Sequence, residues 1–98
     1  MTKFLILWKD DMSRIPEDIE EQMALYARLV NLVKEDFKSG MLDWGEFVGG
    51  HAGYAIVEGT EQEIAMALTK YMPYLKFKAN PVISIEQVEE ILKAQPKA

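Results

Sequence analysis

A chain of 98 residues carrying 49% apolar residues is one soluble-type domain, too short for a second core. Its net charge of −5 argues against binding to a phosphate backbone, which needs a concentrated basic surface, and equally against an anionic membrane. With no cysteine, disulfides, thiolate nucleophiles and cysteine-ligated metals are excluded as well. The start, Met1-Thr2-Lys3, has no signal-peptide layout and no run approaches the roughly 20 apolar residues of a membrane span, so a cytoplasmic protein is expected.

The first strand is predicted over Lys3–Trp8, an unbroken apolar run, followed by a polar connection over Lys9–Arg14. Because a strand sends successive side chains to opposite faces, such a run must be covered on both. A long helix follows, with Pro16 in its first turn and Glu17, Asp18, Glu20 and Glu21 at the positive end of its dipole. Ile19, Met23, Tyr26, Val30, Val33 and Phe37 recur at spacings of four and three and form the expected core stripe, which Leu25, Leu29 and Leu32 widen. Ser39-Gly40 ends the helix, glycine being suited to a left-handed cap. The helix is longer than the strand it covers, so its extra leucines are free for another contact.

A second strand is predicted over Met41–Val48, a glycine-rich hairpin over Gly49–Gly53, and a third strand, again unbroken in its apolar character, over Tyr54–Glu58. Thr60-x-x-Glu63 is a capping box opening a helix that turns Ile64, Ala65, Leu68 and Tyr71 inward and stops before Pro73. A fourth strand covers Tyr74–Ala79, Asn80-Pro81 bends the chain, and Ser84 with Gln87 caps a closing helix whose Val88, Ile91 and Leu92 form one sticky face. The order βαββαβ plus a helix gives an α+β fold: a ferredoxin-like sandwich on a four-stranded antiparallel sheet of order 4-1-3-2, one domain over residues 1–93 with a frayed tail over 94–98. The apolar first and third strands are expected at the centre, parallel to each other. The second and fourth, carrying Asp43, Glu46, Lys76 and Lys78, are expected at the edges.

The segments Gly53–Glu58 and Tyr74–Val82, with Leu7-Trp8 at the end of the first strand, resemble the dimeric α+β barrel superfamily. Within it the chain is most similar, over about Lys3 to Glu90, to a small family of ferredoxin-like proteins of unknown function. The resemblance implies a homodimer through the open sheet face. It also implies a small, often aromatic, ligand held between sheet and helices.

His51, the one histidine, is a candidate acid–base group; the plainer reading is an exposed turn residue. Trp8, Trp44, Tyr54 and Tyr26 are candidate ligand-binding residues, and Glu46 and Glu58 candidate catalytic carboxylates. On strand parity Phe4, Ile6 and Trp8 share a face, as do Trp44 and Glu46, and Tyr54, Ile56 and Glu58; if those faces coincide they wall one cavity. Otherwise the aromatics are core or interface and the glutamates sit at exposed strand ends. No metal site and no cofactor are expected: one histidine cannot build a histidine-rich centre, and the carboxylates lack the spacing. The expected function is a homodimeric module for a small apolar or aromatic ligand. The alternatives are a cofactor-free monooxygenase or isomerase, and a purely structural assembly protein.

Overall fold

The computed structural model describes residues 2–96. Strand β1 (Thr2–Asp10) is followed by helix α1 (Ile19–Lys38), strands β2 (Asp43–Glu46) and β3 (Ala52–Gly59), helix α2 (Glu61–Leu68), a 3-10 turn at Thr69–Tyr71, strand β4 (Leu75–Val82) and helix α3 (Ile85–Lys93). The structure is α+β, with a single four-stranded sheet in the order β2-β3-β1-β4 among the described residues. That is the expected strand order read from the other edge. Every neighbouring pair is antiparallel, β1 with β3 included, which corrects the expectation that those two run parallel. The chain returns through α1 to lay β2 in the direction of β1. The hairpin then reverses it, so β3 opposes both.

Local signals set most element ends. Asp18, not the first turn around Pro16, caps α1, its carboxylate accepting from the Glu21 N–H at 3.0 Å. Pro16 therefore lies ahead of the helix, a second correction. Gly40 takes the left-handed conformation (φ 114°) just beyond the helix end, as expected. The Thr60–Glu63 and Ser84–Gln87 capping boxes are both formed. β2 is shorter than expected, because the Phe47 N–H already reaches back to the Ala52 carbonyl as part of the turn. β4 runs on through Asn80-Pro81, with Pro81 opposite Phe4; an edge strand tolerates the missing N–H. At the C-terminus the Gln95 side chain donates to the Ile91 carbonyl, and the end of the predicted frayed tail, Lys97-Ala98, lies outside the described residues.

Side-chain alternation divides the sheet. Phe4, Ile6 and Trp8 of β1 are buried on the face that carries α1 and α2, beside Ala55 and Val57 of β3. Leu5, Leu7, Tyr54 and Ile56 point to the other face, where Leu7 remains 39% exposed and the other three are half-buried. On α1 the buried residues are Leu25 and Leu29, packed with Ile15 and Tyr71, whereas Ile19, Met23, Val30 and Phe37 are exposed. Leu25 and Leu29, expected only to widen the core stripe, are thus its buried members, while Tyr26 and Val33 of the stripe are half-buried against them. The physical reason is a cavity between α1 and the sheet, onto which Tyr26, Val30 and Val33 of the stripe look.

Tyr71 is buried in that second cluster with its hydroxyl donating to Asp36 of α1, a carboxylate that also pairs with Lys70. Burial, then the Asp36 contact, pushes the Tyr71 hydroxyl far above its ordinary value of 10.0. The folded chain therefore holds this proton more tightly than the unfolded one. The stabilisation is complete below pH 10 and falls as pH rises beyond it. Thermal melts should show the midpoint dropping between about pH 10 and pH 12. Tyr71→Phe should start from a lower midpoint at neutral pH and show a shallower drop.

The molecule is elongated, 63 × 26 × 20 Å with a radius of gyration of 16.9 Å, against about 13 Å for a compact chain of this size. Helix α3, which buries none of its residues, stands away from the sheet. No helix among the described residues is long and apolar enough to cross a membrane.

Candidate functional site

The cavity between the sheet and helices α1 and α2 measures about 570 Å³, inside the roughly 300–1,000 Å³ range of small-molecule sites. Its walls are mainly apolar, with Ile6 and Ala55 from the sheet, Leu29 and Val33 from α1, and Ile64 and Ala67 from α2. Polar groups gather at one end, where Asp10, Tyr26, Glu46 and His51 face Trp8 and Trp44.

Glycine builds the aromatic wall. Trp8 of β1 lies opposite Gly53 of β3, and a Cβ on Gly53 would stand 2.6 Å from the Trp8 ring and 2.0 Å from the Gly45 carbonyl. With no side chain there, the indole lies across β3 and stacks on Trp44 of β2, with centroids 5.4 Å apart and planes 10° from parallel. The Trp8 indole N–H is buried and finds no acceptor among the described residues. An orphaned donor of this kind costs about 1–3 kcal/mol. On the other sheet face Tyr54 repeats the motif over Gly45, its hydroxyl donating to Asp43 at 2.8 Å.

The polar end is built by register. β1 continues past Trp8 to Asp10, whose backbone N–H donates to the His51 carbonyl at 2.8 Å, so the hairpin brings His51 beside the end of β1. The Asp10 carboxylate, 6% exposed, sits 2.8 Å from Nδ1 of His51 and accepts from the Tyr26 hydroxyl at 3.2 Å. A carboxylate only accepts, so Nδ1 is the ring nitrogen that carries a proton in this contact, on a ring that is 58% exposed. His51 holds φ at 64°, a left-handed conformation in which histidine is enriched yet still uncommon. Burial raises the Tyr26 hydroxyl above its ordinary value, followed by the neighbouring Asp10 and Glu46 charges, so it stays protonated as a donor.

Of the residues singled out in the sequence, the structure brings Trp8, Trp44, Tyr26, Glu46 and His51 together at one end of the cavity. Tyr54 is not among them. It faces the open side of the sheet because β3 pairs Ala55, not Tyr54, with Trp44. The hydrogen bond to Asp43, aided by burial, raises the Tyr54 hydroxyl above its usual range. Glu58 contributes to the cavity lining, but it pairs with Lys3 and shares the parity of Tyr54 and Ile56, so its side chain belongs to the open face as theirs do. The carboxylate of Glu63 accepts from the Thr60 N–H, which holds its pKa below the usual glutamate value and keeps it ionised as a cap. Asp10 was missed: it reads as part of a polar loop, although it continues the Phe4-Ile6-Trp8 parity.

Chemically the arrangement offers a flat aromatic wall, the unpartnered Trp8 indole N–H, and an imidazole oriented by Asp10. Among the described residues no group of three or more His, Asp or Glu side chains is placed to hold a metal ion. No protein-family model matches the chain, and no curated protein matches it in sequence, so the functional reading rests on these residues alone.

Proposed function

We propose that this chain is a ligand-binding module of the dimeric α+β barrel type. A ferredoxin-like protomer would pair with a second copy through the open sheet face and hold a small apolar or aromatic molecule between sheet and helices. The observation that carries this reading is the 570 Å³ cavity closed at one end by the Trp8–Trp44 stack and the Asp10–His51 pair. Apolar walls with a few convergent polar groups are the usual make-up of small-molecule sites. Exposed Leu7 and Val82 beside half-buried Leu5, Tyr54 and Ile56 support the pairing through the sheet. Calorimetric titration with 2-naphthol, an aromatic of suitable shape with one hydroxyl, tests the binding. One molecule should bind per protomer, and Trp44→Ala should weaken binding about tenfold by removing the stacking partner. Binding by neither protein would end this reading.

The Asp10–His51 contact favours a second reading, in which the module is a cofactor-free enzyme and His51 its base. A bound phenol or enolisable carbonyl compound would give its proton to Nε2. The O–H or C–H bond breaks, the electron pair stays on the substrate, and Asp10 holds the resulting imidazolium through Nδ1. 4-Nitrophenol reports the step by colour. Wild-type protein should bind it as the yellow phenolate at a pH where the free phenol is mostly protonated, and His51→Asn should bind only the colourless form. Equal spectra for the two proteins would remove the base while leaving the binding site.

A further inference from the structure

We propose that α3 is an arm that grips the second copy, laying its apolar stripe along the β1–β4 half of that copy's open sheet face. The proposal rests on the homodimer reading above and names what holds it together. The first observation is the helix itself. It has nine residues, a complete Ser84–Gln87 capping box and an orderly C-terminal turn, yet buries nothing. A free helix of this length is marginal in water, because helices shorter than about 12–15 residues do not repay their nucleation. Packing of an amphipathic face normally supplies the difference. Here Ile85, Ile91 and Leu92 are 51–67% exposed, and with Val88 they share one side of the helix. Only two residues, Ile83 and Ser84, separate β4 from α3.

The second observation is charge. Glu86 and Glu89 flank one side of that stripe, and Glu90 follows on the polar side. On the open sheet face Lys3 and Lys9 of β1 and Lys76 and Lys78 of β4 surround Leu5, Leu7 and Val82, with Glu58 of β3 opposite Lys3 as the one acidic neighbour in register with β1. Lys76 lies 4.0 Å from Asp11; among the described residues no carboxylate lies within 4.0 Å of Lys3, Lys9 or Lys78. An apolar strip framed by lysines is therefore matched by an apolar stripe edged by glutamates on the same chain. Two copies related by a two-fold axis satisfy both at once, since each supplies one arm and one receiving face.

Sedimentation equilibrium on the full-length chain tests this. The wild type should dimerise, and Ile91→Glu/Leu92→Glu should weaken the dimer by about a hundredfold while the amide spectrum of the sheet residues is unchanged. Lys78→Glu should weaken it about threefold to fivefold at low salt, and adding Glu89→Lys should restore much of that loss. A wild-type dimer whose strength ignores the α3 substitutions would overturn the arm and spare the sheet-to-sheet pairing. A wild type that stays monomeric at millimolar concentration would overturn both.

Discussion

Gly53→Ala should lower the unfolding free energy by about 3 kcal/mol, the upper end of overpacking penalties, and should abolish 2-naphthol binding in whatever fraction still folds. The added Cβ would meet the Gly45 carbonyl at 2.0 Å and the Trp8 ring at 2.6 Å. Neither neighbour can yield cheaply. The carbonyl belongs to β2, which is paired only with β3 over Asp43–Glu46, and the indole is clamped by its stack on Trp44. Relief comes through loss of β2 pairing, of the stack, or of both, so the stability penalty and the binding defect arise together. Gly45→Ala is the internal comparison. Its Cβ would meet the edge of the Tyr54 ring at 2.5 Å, on the open sheet face, where that side chain can swing away. It should cost about 1 kcal/mol, chiefly the Tyr54–Asp43 hydrogen bond, and leave ligand binding intact. Chemical denaturation of the two variants side by side provides the check. Equal penalties would mean that the wall of the cavity is not what Gly53 protects.

Ala67→Phe should do the opposite: raise the melting temperature while blocking the site. Ala67 of α2 borders the cavity, so a ring there occupies space that is empty in the folded protein. Filling a cavity commonly adds about 1 kcal/mol, or roughly 4–8 °C for a domain of this size. The same ring would stand where a ligand must lie, so 2-naphthol affinity should fall at least tenfold. A more stable protein that binds less separates a functional void from imperfect packing. If both stability and binding fell, the wall near Ala67 would already be closed.

Features that reside in short stretches of sequence were legible. The two capping boxes, the glycine after α1, the unbroken apolar runs of β1 and β3 and the charged edge strands all appear where their chemistry puts them. What depends on phase between elements was not. Parity within β3 is plain from sequence, but its phase against β2 is set by the hairpin pairing Glu46 with Gly53. A shift of one residue sends every side chain to the other face, and Tyr54 left the predicted cavity for this reason. On α1 two apolar rows compete, and their composition does not say which one meets the core. Leu25 and Leu29 pack with Ile15 and Tyr71, and Tyr26 and Val33 pack beside them while also lining the cavity with Val30. Asp10 shows a related blindness. A charged residue next to a loop reads as solvated, and only the antiparallel register of β1 with the hairpin makes it the buried partner of His51 and Tyr26.

The central claim, that the void between sheet and helices is a binding site, has a reporter within it. The chain contains two tryptophans, and both form the stacked wall of the cavity. Nitrogen-15 spectra therefore carry two indole N–H signals, one of them from the buried, unpartnered Trp8 donor. A 2-naphthol titration followed on those signals is the most direct measurement. A ligand of about 11 heavy atoms gaining about 0.6 kcal/mol each should bind with a Kd on the order of 15 μM. Both signals should move together and saturate at one equivalent per protomer. Signals that stay fixed, or drift linearly without saturation, would contradict the account.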